Sequence, residues 1–323
     1  MENSASRLKR AGIHFAIAIV FASVLTIIDW SSVTGREFAD RANYTENLVY
    51  QPNRNSYVSF DEWYRYVTEE FLWHEWMNWI IKEGGVPIDV IFNTIGWYLF
   101  FVFALFVLKS ASPLYLPLLV NPLLINLAYS QSRLALAISI LTTAVLLRKR
   151  MFSVASLVIA PLIHTGALLF ELMYMFSLYI ADIRMRLSLS KGYVAGLLIL
   201  AGIVIAVVTG PLRADILRLL ADRRVELQGM SSGYLYVSFW IGLLAVCLFQ
   251  GESFLLDRHA RFSFLVLSMV AVGSFMGVYV SRFLAASFPA LIVGISMVHP
   301  PSIRRLVILL LLVYQLFQWI YWI

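Results

Sequence analysis

Apolar residues run along this chain in long blocks, and polar residues collect in the gaps between them. Blocks fall at 11–28, 86–108, 113–129, 133–148, 193–209, 234–249, 262–279, 283–298 and 306–322, with a further apolar stretch between two basic clusters at 148–150 and 184–191. A helix needs roughly 20 residues to cross a hydrocarbon core about 30 Å thick, so the pattern predicts about eleven transmembrane helices. Two gaps are long enough to be loops with structure of their own, 29–85 and 211–233. The fold class expected is an all-α polytopic membrane protein, one membrane domain over 1–323, with amphipathic helices in those two loops.

Charge orients the helices. Arg7, Lys9 and Arg10 precede the first block, which is too long for a signal-peptide core and reads as a retained anchor with its start inside. The loop 29–85 is acidic on balance, as expected of an outer loop. Arg148, Lys149 and Arg150 pin one cytoplasmic end, and Arg184, Arg186 and Lys191 pin another. The chain between them must cross an even number of times. A break at 161–166 divides it into a hairpin, with His164 at its outer end. Trp319, Tyr321 and Trp322 then fall in the outer interfacial belt.

Composition narrows the function. Apolar residues make up 60% and charged residues 14% of the 323, and mean hydropathy is +0.79, which leaves no room for a large soluble catalytic domain. Cys247 is the single cysteine, so no disulfide framework or Cys-rich metal site is expected. The net charge of +6 is explained by basic residues in cytoplasmic loops and does not imply nucleic acid.

Against this apolar background a few polar residues stand out. From Arg148 back to Arg133 is 15 residues, about 22 Å of helix, and from Arg150 to His164 is 14, about 21 Å. The two groups share one level below the outer surface, where an anionic lipid head meets its chain. The bland alternative is that Arg133 snorkels and His164 is a satisfied interior hydrogen-bonder. Glu171 follows His164 by seven residues on nearly the same face, as its orienting partner or as a structural partner for Asn121, Asn126 or another buried group. Arg282 is a third outward cation.

The outer loop carries two stripes out of phase. Phe60, Trp63, Tyr64, Val67 and Phe71 form the first; Leu72, Trp73, Trp76, Met77 and Ile80 form the second, opposite His74, Glu75, Asn78 and Lys82. The polar stripe faces either a cavity or water, and it contains no HExxH metal pattern. In the second loop Ile216, Leu219 and Leu220 oppose Asp215, Arg218, Asp222 and Glu226. Arg213, Arg223 and Arg224 fall toward lipid, where guanidinium groups meet phosphate specifically or as nonspecific lipid contacts.

The order of these motifs resembles the EpsG-like branch of Wzy-type bacterial polysaccharide polymerases. Glu75 in His74-Glu75-Trp76-Met77-Asn78-Trp79 is similar to the acidic start of a short helix in the family's outer loop. Arg133-Leu134-Ala135-Leu136-Ala137 is similar to its Arg-Gln-x-x-Ala helix start, with Leu134 where the family usually has Gln. His164-Thr165-Gly166-Ala167 and Arg282-Phe283 match its returning His and late Arg. The resemblance covers about 35–285.

What it implies is a GT-C-like, cofactor-free and metal-independent glycosyltransferase of the bacterial inner membrane. Its partners would be undecaprenyl-pyrophosphate-linked oligosaccharides, membrane lipid and a chain-length regulator, with the active site facing the periplasm. Arg133 and Arg282, then Arg213 and Arg223, are the expected pyrophosphate contacts, and Glu75 and His164 compete as base. An O-antigen ligase shares the chemistry but has its large outer loop late in the chain. A lipid-linked oligosaccharide flippase or transporter is the rival from another class.

Overall fold

The first apolar block forms helix α1, Ser4–Ile27, and Asp29 stops it. The Asp29 carboxylate accepts the Ser31 and Ser32 hydroxyls at 2.5 and 2.6 Å and the Ser32 amide at 3.3 Å, capping the one-turn α2, Trp30–Thr34. Those bonds, the Ser31 hydroxyl first, lower its pKa from 3.8 to about 2. A depressed folded-state value means the cap is intact above the ordinary carboxylate range and is lost as pH falls through about 2. A carboxyl-carbon NMR titration is expected to place the Asp29 midpoint near 2. A midpoint at the ordinary carboxylate value would mean that the serine bonds do not form.

The computed structural model describes residues 4–35, 37–38, 41, 43, 64–219 and 234–322. In the segment 29–85 it shows α3, Arg65–Thr68, then α4, Phe71–Asn78, which continues as a widened turn over Trp79–Glu83. The first stripe read from the sequence begins at Phe60, and its residues before Tyr64 lie outside the described residues. A Cβ on Gly84 would stand 2.6 Å from the Ile80 carbonyl oxygen, and Gly85 has φ +61°, so this Gly-Gly pair makes the reversal into α5, Ile88–Ser110.

The block 113–129 does not form one crossing. Pro117 and Pro122 have no N–H to give, so the chain makes a 3₁₀ segment over Pro113–Leu119 and a two-turn helix α6, Pro122–Tyr129, capped by the Asn121 side chain at Leu123 N, 2.8 Å. Helix α7, Ser132–Leu147, leaves α6 at 105°. Next come α8, Arg150–Ile163, and α9, Gly166–Leu187, with His164 extended between them. Then come α10, Lys191–Thr209; α11, Arg213–Leu219; α12, Tyr234–Leu248; α13, Glu252–Leu256; α14, Arg258–Gly273; α15, Val280–Ser296; and α16, Pro301–Trp322.

Among the described residues five helices are long and apolar enough to cross a membrane: Leu8–Ile27, Ile88–Ser110, Gly166–Leu187, Lys191–Thr209 and Pro301–Tyr321. The bent pair α6–α7 makes a sixth if it is one span, while Arg150–Ile163, Tyr236–Leu248 and Val280–Ser296 are apolar but shorter. The described residues are therefore all-α in architecture, with several helices able to span a membrane. The count is below the eleven expected because proline breaks and short helices divide blocks that hydropathy alone treats as whole.

The chain forms two compact units. One comprises Met1–Leu168 with Gln315–Ile323, the other Leu169–Tyr314. In the first, α5 packs on α1 and α7, α7 packs on α8, and α3 and α4 lie on α8. Trp30 stacks on Trp319 at 5.4 Å, which ties the end of α16 to α2. In the second, α14 is buried among α10, α12 and α15. A Cβ on Gly202 would come within 2.8 Å of Met269 N, so glycine there lets α10 and α14 approach closely. Buried Arg261 donates to the carbonyls of Ser177, Leu255 and Leu256, closing the end of α13.

Candidate functional site

Three residues far apart in sequence converge in the first unit. Glu70 lies between α3 and α4 with a left-handed backbone, φ 57° and ψ 48°. This turn falls one residue before Phe71, the last position of the first stripe, and points the carboxylate inward. Its side chain is 3% exposed, against 19% for Arg133 and 18% for His164. The Arg133 Nη1 donates to Glu70 Oε2, and His164 Nδ1 lies 2.5 Å from Glu70 Oε1. Both carboxylate oxygens are thus engaged, one by each partner, and the carboxylate lies deeper than either.

Local structure explains each placement. Arg133 is in the first turn of α7, presented by the bend after α6. His164 ends α8 because the next helix starts only at Gly166, and a Cβ on Gly166 would sit 3.1 Å from His164 Nε2. Thr165 Oγ1 donates to the Val67 carbonyl at 2.7 Å, a second bond between the segment 29–85 and the link from α8 to α9. Trp73 and Met77 of α4 are almost fully buried, each contributing about 2 to 3 kcal/mol. A carboxylate taken out of water costs several kcal/mol unless charges and hydrogen bonds compensate it. Arg133 and His164 supply that compensation.

The arrangement has defined chemical capacity. A carboxylate only accepts, so it holds the hydrogen of the His164 ring on Nδ1 and, in the neutral ring, leaves the Nε2 lone pair available as a proton acceptor. Arg133 brings a planar cation beside that acceptor.

Not all the sequence-selected residues join this cluster. Glu75 is exposed on α4, as is Lys82 beyond it, while His74 and Asn78 are half-buried. Arg213 opens α11 in the second unit, and Arg282, also in that unit, is exposed with its guanidinium carbon 4.7 Å from the Tyr279 ring centre. Arg223 and Arg224 lie outside the described residues. Glu171 is buried on α9, and its Oε1 accepts no hydrogen bond. Asn121, considered as its partner, instead caps α6 and donates to Gln318 Oε1 at 3.4 Å. Among the described residues no three of His, Cys, Asp and Glu group closely enough to hold a metal ion.

Glu70 is the residue that sequence reasoning missed. Its partners are 63 and 94 residues away, so no spacing motif marks it. The phase shift between the two apolar stripes was the available signal, since a helix that changes phase needs a non-helical residue at the junction.

No protein-family model matches the chain, and no curated protein or solved structure is detectably similar to it.

Proposed function

We propose that this protein is a polysaccharide polymerase of the Wzy type, a multi-pass GT-C-like glycosyltransferase of a bacterial inner membrane with its site toward the periplasm. It would move a growing chain from undecaprenyl pyrophosphate onto the terminal sugar of an incoming lipid-linked repeat unit. The observation that carries this reading is the carboxylate of Glu70 shared between His164 and Arg133. His164 Nε2 takes the proton of the attacking sugar hydroxyl as the new glycosidic bond forms. Glu70 holds the ring in the required tautomer and stabilises the imidazolium, in the way a triad carboxylate does. The bond from the anomeric carbon to the pyrophosphate breaks, and the charge on the departing oxygen is met by Arg133. In this mechanism the base is the Glu70–His164 pair, and Glu75 has no part.

A second reading has an observation of its own. The 105° bend between α6 and α7 is a broken helix pair of the kind that transporters use at their binding sites, which favours a lipid-linked oligosaccharide flippase. Deletion of the gene followed by electrophoresis of surface polysaccharide separates the two. A polymerase is expected to leave core lipid bearing a single repeat unit while the ladder above it disappears. Loss of the single-unit band as well would point to the flippase, or to a ligase.

A further inference from the structure

We infer that Arg184, at the end of α9, seats the phosphate of an anionic membrane lipid. The inference goes beyond the reading of the Glu70 cluster and does not rest on it. Arg184 lies in the last turn of α9, one of the helices long and apolar enough to cross a membrane, and its neighbours Met185 and Leu187 are exposed. A cation among exposed apolar side chains at the end of a span stands where lipid head groups lie. The Arg184 side chain is itself drawn in, with 13% exposure. Its Nη2 meets Glu252 Oε2 at 3.3 Å, whereas Nη1 is buried with no hydrogen-bond partner. One arm of the guanidinium fork is thus held loosely and the other is idle. An idle buried donor is costly, because it has given up water and gained nothing in return.

The surrounding charges give an independent sign. Buried Arg261 spends its donors on the carbonyls of Ser177, Leu255 and Leu256, and its charge acts against that of Arg184, with Asp257 and Asp182 acting the other way. Lys191 Nζ reaches the Leu248 carbonyl at 3.1 Å, four residues before Glu252. Arg184, Lys191 and Arg261 thus gather around the segment 248–256. The acids nearby are committed or outside: Asp257 accepts the His259 and Ala260 amides at the start of α14, and Asp182 is exposed. Glu252 is the acid paired with Arg184, and it stands 64% exposed on the single-turn helix α13. An ion pair with so exposed a partner contributes little, so another anion can take its place. A phosphate fits better, since two of its oxygens engage both arms of the fork where Glu252 engages one. A lipid head group and a free phosphate share that chemistry.

The full chain in maltoside micelles, which contain no phosphorus, is titrated with short-chain phosphatidylglycerol and, separately, with inorganic phosphate, read by phosphorus NMR line broadening. Binding of the lipid probe is expected. Arg184→Gln should weaken it about tenfold, the loss of one charge-assisted hydrogen bond. Glu252→Gln should tighten it about two- to fivefold, because the carboxylate that competes for the fork is gone. Arg186→Gln removes the same charge from an exposed position two residues on and should change it less than about twofold. Binding of the lipid with no binding of free phosphate identifies a seat reached from the bilayer. Binding of free phosphate alone, with no binding of the lipid, overturns the lipid assignment. No binding of either probe, equal losses in Arg184→Gln and Arg186→Gln, or no gain in Glu252→Gln overturns the seat itself. Should Arg184→Gln fail to accumulate, Glu252→Gln decides the matter, since a purely structural ion pair predicts unchanged or weaker binding there.

Discussion

Replacing Glu70 with glutamine is expected to lower polymerisation by at least about 10²-fold while the protein accumulates normally, the range that loss of a general base brings. Glutamine fills the same volume, and its oxygen still accepts from Arg133. Its amide, however, would donate to His164 Nδ1. That reverses the ring: Nδ1 becomes the acceptor, Nε2 carries the hydrogen, and no lone pair faces the sugar hydroxyl. Glu75→Gln, on an exposed position of α4, should leave the ladder of surface polysaccharide intact. Loss of the ladder in Glu75→Gln with survival in Glu70→Gln would return the base to the polar stripe of α4.

The second large effect concerns Arg133, where charge and shape are separable. Arg133→Ala leaves the Glu70 carboxylate, 3% exposed, without its main cation. Removing one partner of a buried ion pair costs about 3 to 5 kcal/mol, so the thermal midpoint of the purified protein should fall clearly. Arg133→Lys keeps the cation and should recover most of that stability. It should still lose most polymerisation, because an ammonium cannot grip Glu70 and a phosphoryl group with one planar fork. An intact ladder in Arg133→Lys would show that the residue anchors the segment carrying Glu70 and does no more.

The legible parts of this protein were those set by local pattern. Long apolar blocks gave α1, α5, α9, α10 and α16, and the break at 161–166 is where α8 ends and α9 begins. The ruler of helical rise also placed Arg133 and His164 at one depth, and the structure brings both onto one carboxylate. Block counting failed where proline intervened. The segment 113–129 has the hydropathy of a span, but Pro117 and Pro122 turn it into a 3₁₀ segment and a short helix. Glu70 was out of reach for a different reason. Its role depends on contacts with two other segments, and nothing within its own loop distinguishes it from Glu69 or Glu75. Only the change of phase around it, a backbone signal, pointed at the position.

Among the described residues three other than glycine have positive φ: Glu70, Arg148 and Ser188. Arg148 and Ser188 are exposed, at or just past the ends of helices, where such a turn is common. Glu70 is the one held inside, and a left-handed backbone there costs about 1 kcal/mol that glycine or asparagine would largely avoid. Backbone preference and chemistry thus pull this position in opposite directions. Glycine or asparagine would relieve the turn but take the carboxylate away from Arg133 and His164, and breaking a buried ion pair costs about 3 to 5 kcal/mol, so the pair outweighs the strain and holds a carboxylate on a backbone that resists it.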